Sequence, residues 1–136
     1  MNHLNDFFIR LTNVLKRDPR FREEAYLFVM ASLSRAIQGL EAPRHISGKE
    51  LLKAIQAEAK EQFGPMAEAV FEHWGIKNSL DFGLIVFNMV QEGILSKTES
   101  DTLDDFEDTE FFQNLFDNVL GYRLMDEESA VKISKK

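Results

Sequence analysis

The sequence contains no cysteine among its 136 residues. This absence excludes a disulfide framework, a thiolate metal site and a thiol nucleophile, and it suits the reducing cytoplasm, where we expect the protein to be. The N-terminal residues lack a basic region followed by an apolar run, and no stretch reaches the roughly eighteen apolar residues of a membrane span. We therefore expect no membrane association.

Histidine is scarce, with only His3, His45 and His73 in the chain. No His-x-x-x-His or Glu-x-x-His pair occurs, so the ligand spacing of a helical metal site is missing. The same shortage argues against a Ser/His/Asp triad, because no nucleophile elbow is present either. The sequence therefore predicts no cofactor, no metal and no catalytic residue.

Basic residues become rare in the second half of the chain. Residues 1–60 carry 10 Lys and Arg against 7 Asp and Glu, net +3, and residues 61–136 carry 6 against 16, net −10, which together give the net charge of −7. An acidic surface repels phosphate backbones and attracts basic partners or cations. Nucleic acid is thus a disfavoured partner, and a solvated acidic face that keeps the protein soluble is the simplest interpretation.

Hydrophobic residues make up 44% of the chain, and 12 of its aromatic residues are Phe. A chain of this length can bury one core without staples, and Phe supplies apolar area without a hydrogen bond. We expect a single helical domain over residues 1–125. Residues 126–136 contain few apolar side chains, which predicts a frayed or disordered tail.

The stretch Ser79–Glu92 is apolar nearly all round at helical spacing, which predicts a central helix enclosed by other elements. Ser79 is the expected N-cap, and Gly93 suits the left-handed turn after the last residue. Five further helices are expected around it. They are a first helix ending near Arg17, a second from Asp18 and Pro19 to about Leu40, a third from the capping box Ser47/Glu50 to Gly64-Pro65, a short fourth ending at Gly75, and a last one from Phe111 to Leu120.

The fold class that these patterns predict is all-α, a single compact domain of about six helices. A small β-hairpin over residues 94–106 is an alternative local structure, because Ile94–Thr98 is β-tolerant and is followed by a polar turn. With that hairpin the order of elements is that of a winged helix-turn-helix, with Ser79–Glu92 as recognition helix. However, the proposed wing is acidic where a DNA-binding wing carries Lys or Arg.

Several short motifs recur in order over residues 20–110 and resemble a family of small, uncharacterised bacterial proteins. The resemblance implies a bacterial, cytoplasmic protein and carries over no functional residues. The motifs are Arg44-His45-Ile46-Ser47-Gly48, Phe63-Gly64-Pro65-Met66, His73-Trp74-Gly75-Ile76, Asp81-Phe82-Gly83 with Ile85-Val86-Phe87, and Gly93-Ile94-Leu95-Ser96-Lys97-Thr98-Glu99.

The leading functional hypothesis is a non-enzymatic protein-protein interaction or adaptor module whose partner is another protein or a second copy of the chain. One alternative is a winged-helix-like regulator that binds nucleic acid through Arg17, Arg20, Arg22 and Arg44. Another is a small-molecule or metal sensor near His73 and Trp74. The candidate interaction surface consists of the residues that packing explains least, namely Arg44, His45, His73, Trp74, Lys97, Asp101, Asp104, Asp105 and Asp108.

Overall fold

The computed structural model describes residues 3–96 and 103–116. These residues form α-helices and two 3₁₀ turns, with no β-strand among them, so the all-α prediction is confirmed. The predicted tail 126–136 and residues 117–120 of the last predicted helix lie outside the described residues. The helices are α1 His3–Arg17, α2 Glu23–Gln38, α3 Gly48–Phe63, α4 Ala67–His73, α5 Ser79–Gln91 and α6 Phe111–Phe116, and the 3₁₀ turns are Gly64–Met66 and Leu103–Phe106.

Helix α5 is the central element, because α1, α2, α3 and the turn Leu103–Phe106 all contact it. Its side chains Phe82, Ile85 and Met89 are fully buried, and no residue from Ser79 to Val90 is in the exposed class. The predicted central helix is therefore confirmed. Its enclosure is incomplete, since apolar side chains that include Val86, Phe87 and Val90 are only half-buried.

The predicted boundaries of α3 are confirmed. Ser47 and Glu50 form the capping box: the Ser47 hydroxyl accepts from the Glu50 amide at 3.1 Å, and the Glu50 carboxylate accepts from the Ser47 amide at 2.9 Å. At the other end Gly64 has φ +55°, a left-handed conformation that costs glycine nothing. The chain then enters α4 through the 3₁₀ turn Gly64–Met66.

The predicted start of α2 at Asp18 and Pro19 is wrong, because the helix begins at Glu23 with Arg22 as its N-cap. The Asp18 carboxylate instead accepts from the backbone amide and side chain of Arg20 and from the Asn88 amide group on α5 at 2.9 Å. These contacts hold Asp18–Arg22 as a turn, and the Arg22 amide donates to the Trp74 carbonyl at 3.1 Å. A tertiary contact therefore replaces the first helical turn that the sequence predicts.

This hydrogen bonding predicts a pH dependence of stability that belongs to Asp18. The Arg20 side chain, assisted by Asn88, holds the pKa of the Asp18 carboxyl well below its ordinary value of 3.8, against a smaller opposing effect of burial. Because the folded-state pKa is lowered, the stabilisation is complete above about pH 5 and is lost as the pH falls toward the folded-state pKa. We expect Asp18→Asn to cost about 1.5–3 kcal/mol at pH 7 and clearly less at pH 3.

Urea denaturation of both proteins at the two pH values measures this difference. The control is Asp6→Asn, since the Asp6–Arg10 pair is exposed on α1 and is expected to contribute no more than about 1 kcal/mol at pH 7. A gap between the wild type and Asp18→Asn that stayed constant from pH 7 to pH 3 would contradict the assignment.

Helix α5 begins at Ser79, so the residue that caps its N-terminus is the one before Ser79. The N-cap is Asn78, which forms a capping box with Asp81, and the prediction of Ser79 as the cap is wrong. Ser79 is buried, and its hydroxyl accepts from the Asp108 amide at 2.9 Å and lies 3.3 Å from the Asp108 carbonyl. Ser79 therefore fastens a later segment of the chain to the start of the central helix.

That later segment, residues 103–110, is here called the acidic strap. It carries five carboxylates and no Lys or Arg, and it begins with the 3₁₀ turn Leu103–Phe106. The hairpin alternative placed a strand over Leu103–Phe106, but these residues form a 3₁₀ turn in which Phe106 is buried at 2% exposure. Residues 97–102, which include the predicted polar turn, lie outside the described residues.

Candidate functional site

A groove of about 220 Å³ lies between α2 and α5 and is here called the α2–α5 groove. One wall is formed by Leu33 and Ile37 of α2, which lie one helical turn apart. The opposite wall is formed by Val86, Phe87 and Val90 of α5, all half-buried. The remaining lining residues are Arg44, His45, Ile46, Ser47, Gly48, Leu51, Leu95, Ser96 and Phe106.

The groove is predominantly apolar, and its α2 wall is accessible to solvent at Ile37. Ile37 is 49% exposed although its side chain is aliphatic, and it belongs to the same stripe of α2 as the buried Val29. In another protein, an apolar cavity of about 150 Å³ accommodates a benzene molecule. The α2–α5 groove therefore has room for one or two apolar side chains of a ligand.

Polar groups at the groove come from the loop before α3. The Arg44 guanidinium donates to both carboxylate oxygens of Glu50, at 3.0 and 2.7 Å, and to the His45 carbonyl at 2.9 Å. Arg44, followed by the Ser47 amide, lowers the pKa of the Glu50 carboxyl to about 2. This pair neutralises Arg44 locally, so the loop offers a fixed polar edge rather than a strong anion site.

Of the predicted site residues in the acidic strap, Asp105 lies beside the groove. Asp105 is close to Gly48, since a Cβ added to that glycine would be 2.9 Å from the Asp105 Cβ. Asp104 is exposed, and Asp108 is half-buried and fastened to Ser79. The structure thus brings Arg44, His45 and the start of the strap to one region, whereas Lys97 and Asp101 lie outside the described residues.

His73 and Trp74 do not contribute to the groove. His73 is exposed at the end of α4, whereas Trp74 is 9% exposed within an aromatic cluster. The Trp74 ring lies 5.4 Å from that of Phe28, 5.7 Å from Phe63 and 6.0 Å from Phe71, measured between ring centroids. Core packing therefore explains the presence of Trp74. His73 and Trp74 are neighbours in the sequence, but only His73 is exposed to solvent.

The four arginines of the nucleic-acid alternative all bind groups of the chain itself. Arg17 pairs with Glu92 at 2.6 Å, and Arg20 pairs with Asp18 at 2.6 Å. Arg22 donates to the His73 carbonyl at 3.3 Å, and Arg44 pairs with Glu50. A phosphate backbone would have to compete with these partners, and α5 offers no exposed face that could enter a groove of DNA.

Residues 3–96 and 103–116 contain neither a cluster of metal ligands nor a helix that could cross a membrane. Within these ranges no three His, Asp or Glu side chains are placed to share a metal ion. No helix in the same part of the chain combines the length and apolarity that a membrane span requires.

Comparison with known proteins yields no relative: no protein-family model, no curated protein and no solved structure matches the chain. The resemblance to uncharacterised bacterial proteins therefore stays a prediction.

The apolar residues of the groove were not predicted as a site. Their helical spacing assigns them to the core, and only their incomplete burial in the folded chain distinguishes them from core residues. One signal was present in the sequence: α5 is apolar on both sides, so some residues on each side need a neighbour. Which side lacks one depends on how α2 and α3 are placed.

Proposed function

We propose that this protein is a non-enzymatic interaction module whose α2–α5 groove binds a basic amphipathic segment of a protein partner. The observation that carries the proposal is the half-buried apolar wall of Val86, Phe87 and Val90, opposite the partly exposed Ile37. A contiguous apolar strip that the fold leaves partly accessible between polar edges is typical of protein interaction sites. The absence of cysteine supports the cytoplasm as the compartment.

The spacing of the two walls favours a helical ligand. Leu33 and Ile37 are four residues apart on α2, and Val86 and Val90 are four residues apart on α5. An amphipathic helix presents apolar side chains at the same i, i+4 interval, so two anchors of such a helix would meet both turns of the groove. A small molecule has no repeated anchors at this interval, so the spacing of the groove residues gives it no advantage.

The charge of the partner follows from the acidic strap. The strap carries five carboxylates and no cation, and Asp105 lies close to the Gly48 end of the groove. Lys or Arg residues beside the apolar anchors would therefore be attracted, whereas acidic segments would be repelled. A chain with net charge −7 adds a weaker, long-range attraction of the same sign.

The nucleic-acid alternative has less support, because its four arginines bind groups within the chain. The described part of the proposed wing also carries Asp104 and Asp105 and no Lys or Arg. The sensor alternative near His73 and Trp74 has less support as well, because Trp74 is buried among phenylalanines. A second copy of the chain as the occupant of the groove is retained as an outcome of the experiment below.

Two substitutions on α2 test the proposal. Ile37→Asp places a charge on the groove wall, and Leu27→Asp is the matched control, because Leu27 is 39% exposed on the same helix and does not line the groove. A partner captured by the full-length protein from its native lysate is purified and titrated against each variant. We expect Ile37→Asp to weaken binding by at least about tenfold, or 1.4 kcal/mol, and Leu27→Asp to leave it unchanged.

Charge and location are tested with the same partner. Asp104→Lys should weaken binding by a factor that decreases as salt is added, because an exposed carboxylate acts through screened attraction. Methyl chemical-shift mapping should place the partner at Leu33, Ile37 and Val90. Equal losses for Ile37→Asp and Leu27→Asp, or a mapped surface elsewhere, would refute the proposal; a dimer in light scattering that Ile37→Asp disrupts would identify a second copy as the occupant.

A further inference from the structure

Phe106 occupies a seat between α3 and α5 that two glycines create. A Cβ added to Gly48 would lie 3.1 Å from the Phe106 ring, and one added to Gly83 would lie 2.9 Å from it. Both distances are shorter than ordinary van der Waals contact, so the ring fits only because these positions carry no side chain. Phe106 is 2% exposed and also lines the α2–α5 groove.

Gly83, which contacts the Phe106 ring, lies on the same face of α5 as the residues that form the wall of the groove. Val86 and Phe87 lie three and four residues after Gly83, and Val90 lies four and three residues after them, so all four residues share one face of the helix. Phe106 covers this face at Gly83, and the face is half-buried from Val86 onward. The Phe106 ring therefore closes the groove at the end nearest the start of α5.

The backbone beside this ring is held independently of the groove. Two residues beyond Phe106, the Asp108 amide donates to the buried Ser79 hydroxyl at 2.9 Å. Further along, the Gln56 side-chain amide donates to the Phe111 carbonyl at 3.3 Å. A change in the size of residue 106 would therefore alter the space at the end of the groove, while these bonds keep the strap attached.

From this geometry we infer that Phe106 is a specificity-determining residue at the end of the groove beside Val86, where it admits slender aliphatic anchors and excludes aromatic ones. The inference deepens the proposed function and rests on it. The physical reason is that an aromatic anchor beside Val86 would need the space that the Phe106 ring fills. A smaller residue at position 106 would add apolar space to the groove at this end, so that a six-membered ring has room there.

Two small alcohols serve as probes, 1-hexanol for an aliphatic anchor and benzyl alcohol for an aromatic one. Each is titrated into the full chain while methyl chemical shifts of the groove residues are recorded. In the wild type we expect 1-hexanol to bind more tightly than benzyl alcohol. In Phe106→Leu the preference should reverse through a gain of about tenfold for benzyl alcohol, the scale on which one missing or added group in an apolar pocket is discriminated.

Phe111→Leu is the matched control, because Phe111 is 1% exposed, follows directly after the strap and does not line the groove. It should leave the ratio of the two dissociation constants unchanged. Phe106→Ala is a second test, in which a larger gain for benzyl alcohol is expected if the variant folds. Equal effects of Phe106→Leu and Phe111→Leu would overturn the inference, since general loosening would then explain both.

The outcomes separate this inference from the proposed function. Binding of 1-hexanol in the groove with an unchanged preference in Phe106→Leu defeats the inference and leaves the groove as a binding site. A reversed preference together with no protein partner supports the role of Phe106 and defeats the interaction module. If neither alcohol shifts the groove methyls in any variant, both proposals fail.

Discussion

Gly75→Ala is expected to lower the free energy of unfolding by about 2–5 kcal/mol, a large part of the stability of a typical domain. Gly75 has φ +93°, a conformation that L-residues rarely adopt, and a Cβ at this position would lie 2.2 Å from the Arg20 carbonyl oxygen. The obstacle is backbone, so no side-chain rotation can relieve it. The clash would also strain the hydrogen bond from the Arg22 amide to the Trp74 carbonyl.

Gly64→Ala separates the two causes of the stability loss in Gly75→Ala, which are the positive φ and the clash with the Arg20 carbonyl. Gly64 also has positive φ, at +55°, but nothing lies within 4 Å of the Cβ that would be added. We expect it to cost only about 1–2 kcal/mol, the conformational part alone. Urea denaturation followed by far-UV circular dichroism measures both variants. Equal losses at the two glycines would show that the close approach of Gly75 to Arg20 has no energetic weight.

Phe71→Ala is expected to destabilise the protein by about 3–5 kcal/mol, because it would leave a cavity at the centre of the aromatic core. Phe71 is 0% exposed, and its ring centroid lies 5.2 Å from that of Phe82 on α5 and 5.6 Å from that of Phe28 on α2. It also contacts Phe112 of α6 at 6.1 Å. One side chain therefore connects α4 with three other helices.

Fluorescence of Trp74, the sole tryptophan, reports this loss directly, since its ring packs 6.0 Å from that of Phe71. The variant should unfold at lower denaturant concentration and show red-shifted emission in the folded state. The comparison is Phe8→Ala, where the side chain is 42% exposed on α1 and a change within about 0.5 kcal/mol is expected. A Phe71→Ala loss below about 1 kcal/mol would mean that the core refills the space.

Local patterns in the sequence predict most helices correctly because each of those signals acts within a few residues. The capping box of Ser47 and Glu50 begins α3, and Gly64 ends it. Both signals involve only residues within or next to the helix. The apolar periodicity of α5 likewise identifies the central helix, because only a buried helix lacks a polar face. For α3 and α5, the tertiary structure confirms what the local sequence predicts.

The local signals fail where a distant residue competes for the same polar group. Asp18 and Ser79 both have the chemistry of an N-cap, but Asp18 binds Asn88, 70 residues away, and Ser79 binds Asp108, 29 residues away. A hydrogen bond across such a separation leaves no periodic trace in the sequence. The predicted start of α2 and the predicted N-cap of α5 were wrong for this reason.

The sequence by itself determined an acidic, cysteine-free, all-α chain with one central helix and a Phe-rich core. Only the tertiary structure decided that Gly48 and Gly83 seat Phe106 and that Val86, Phe87 and Val90 face an open groove. The physical reason is that composition and periodicity select which side chains avoid water, whereas the placement of neighbouring helices decides which of them find enough cover.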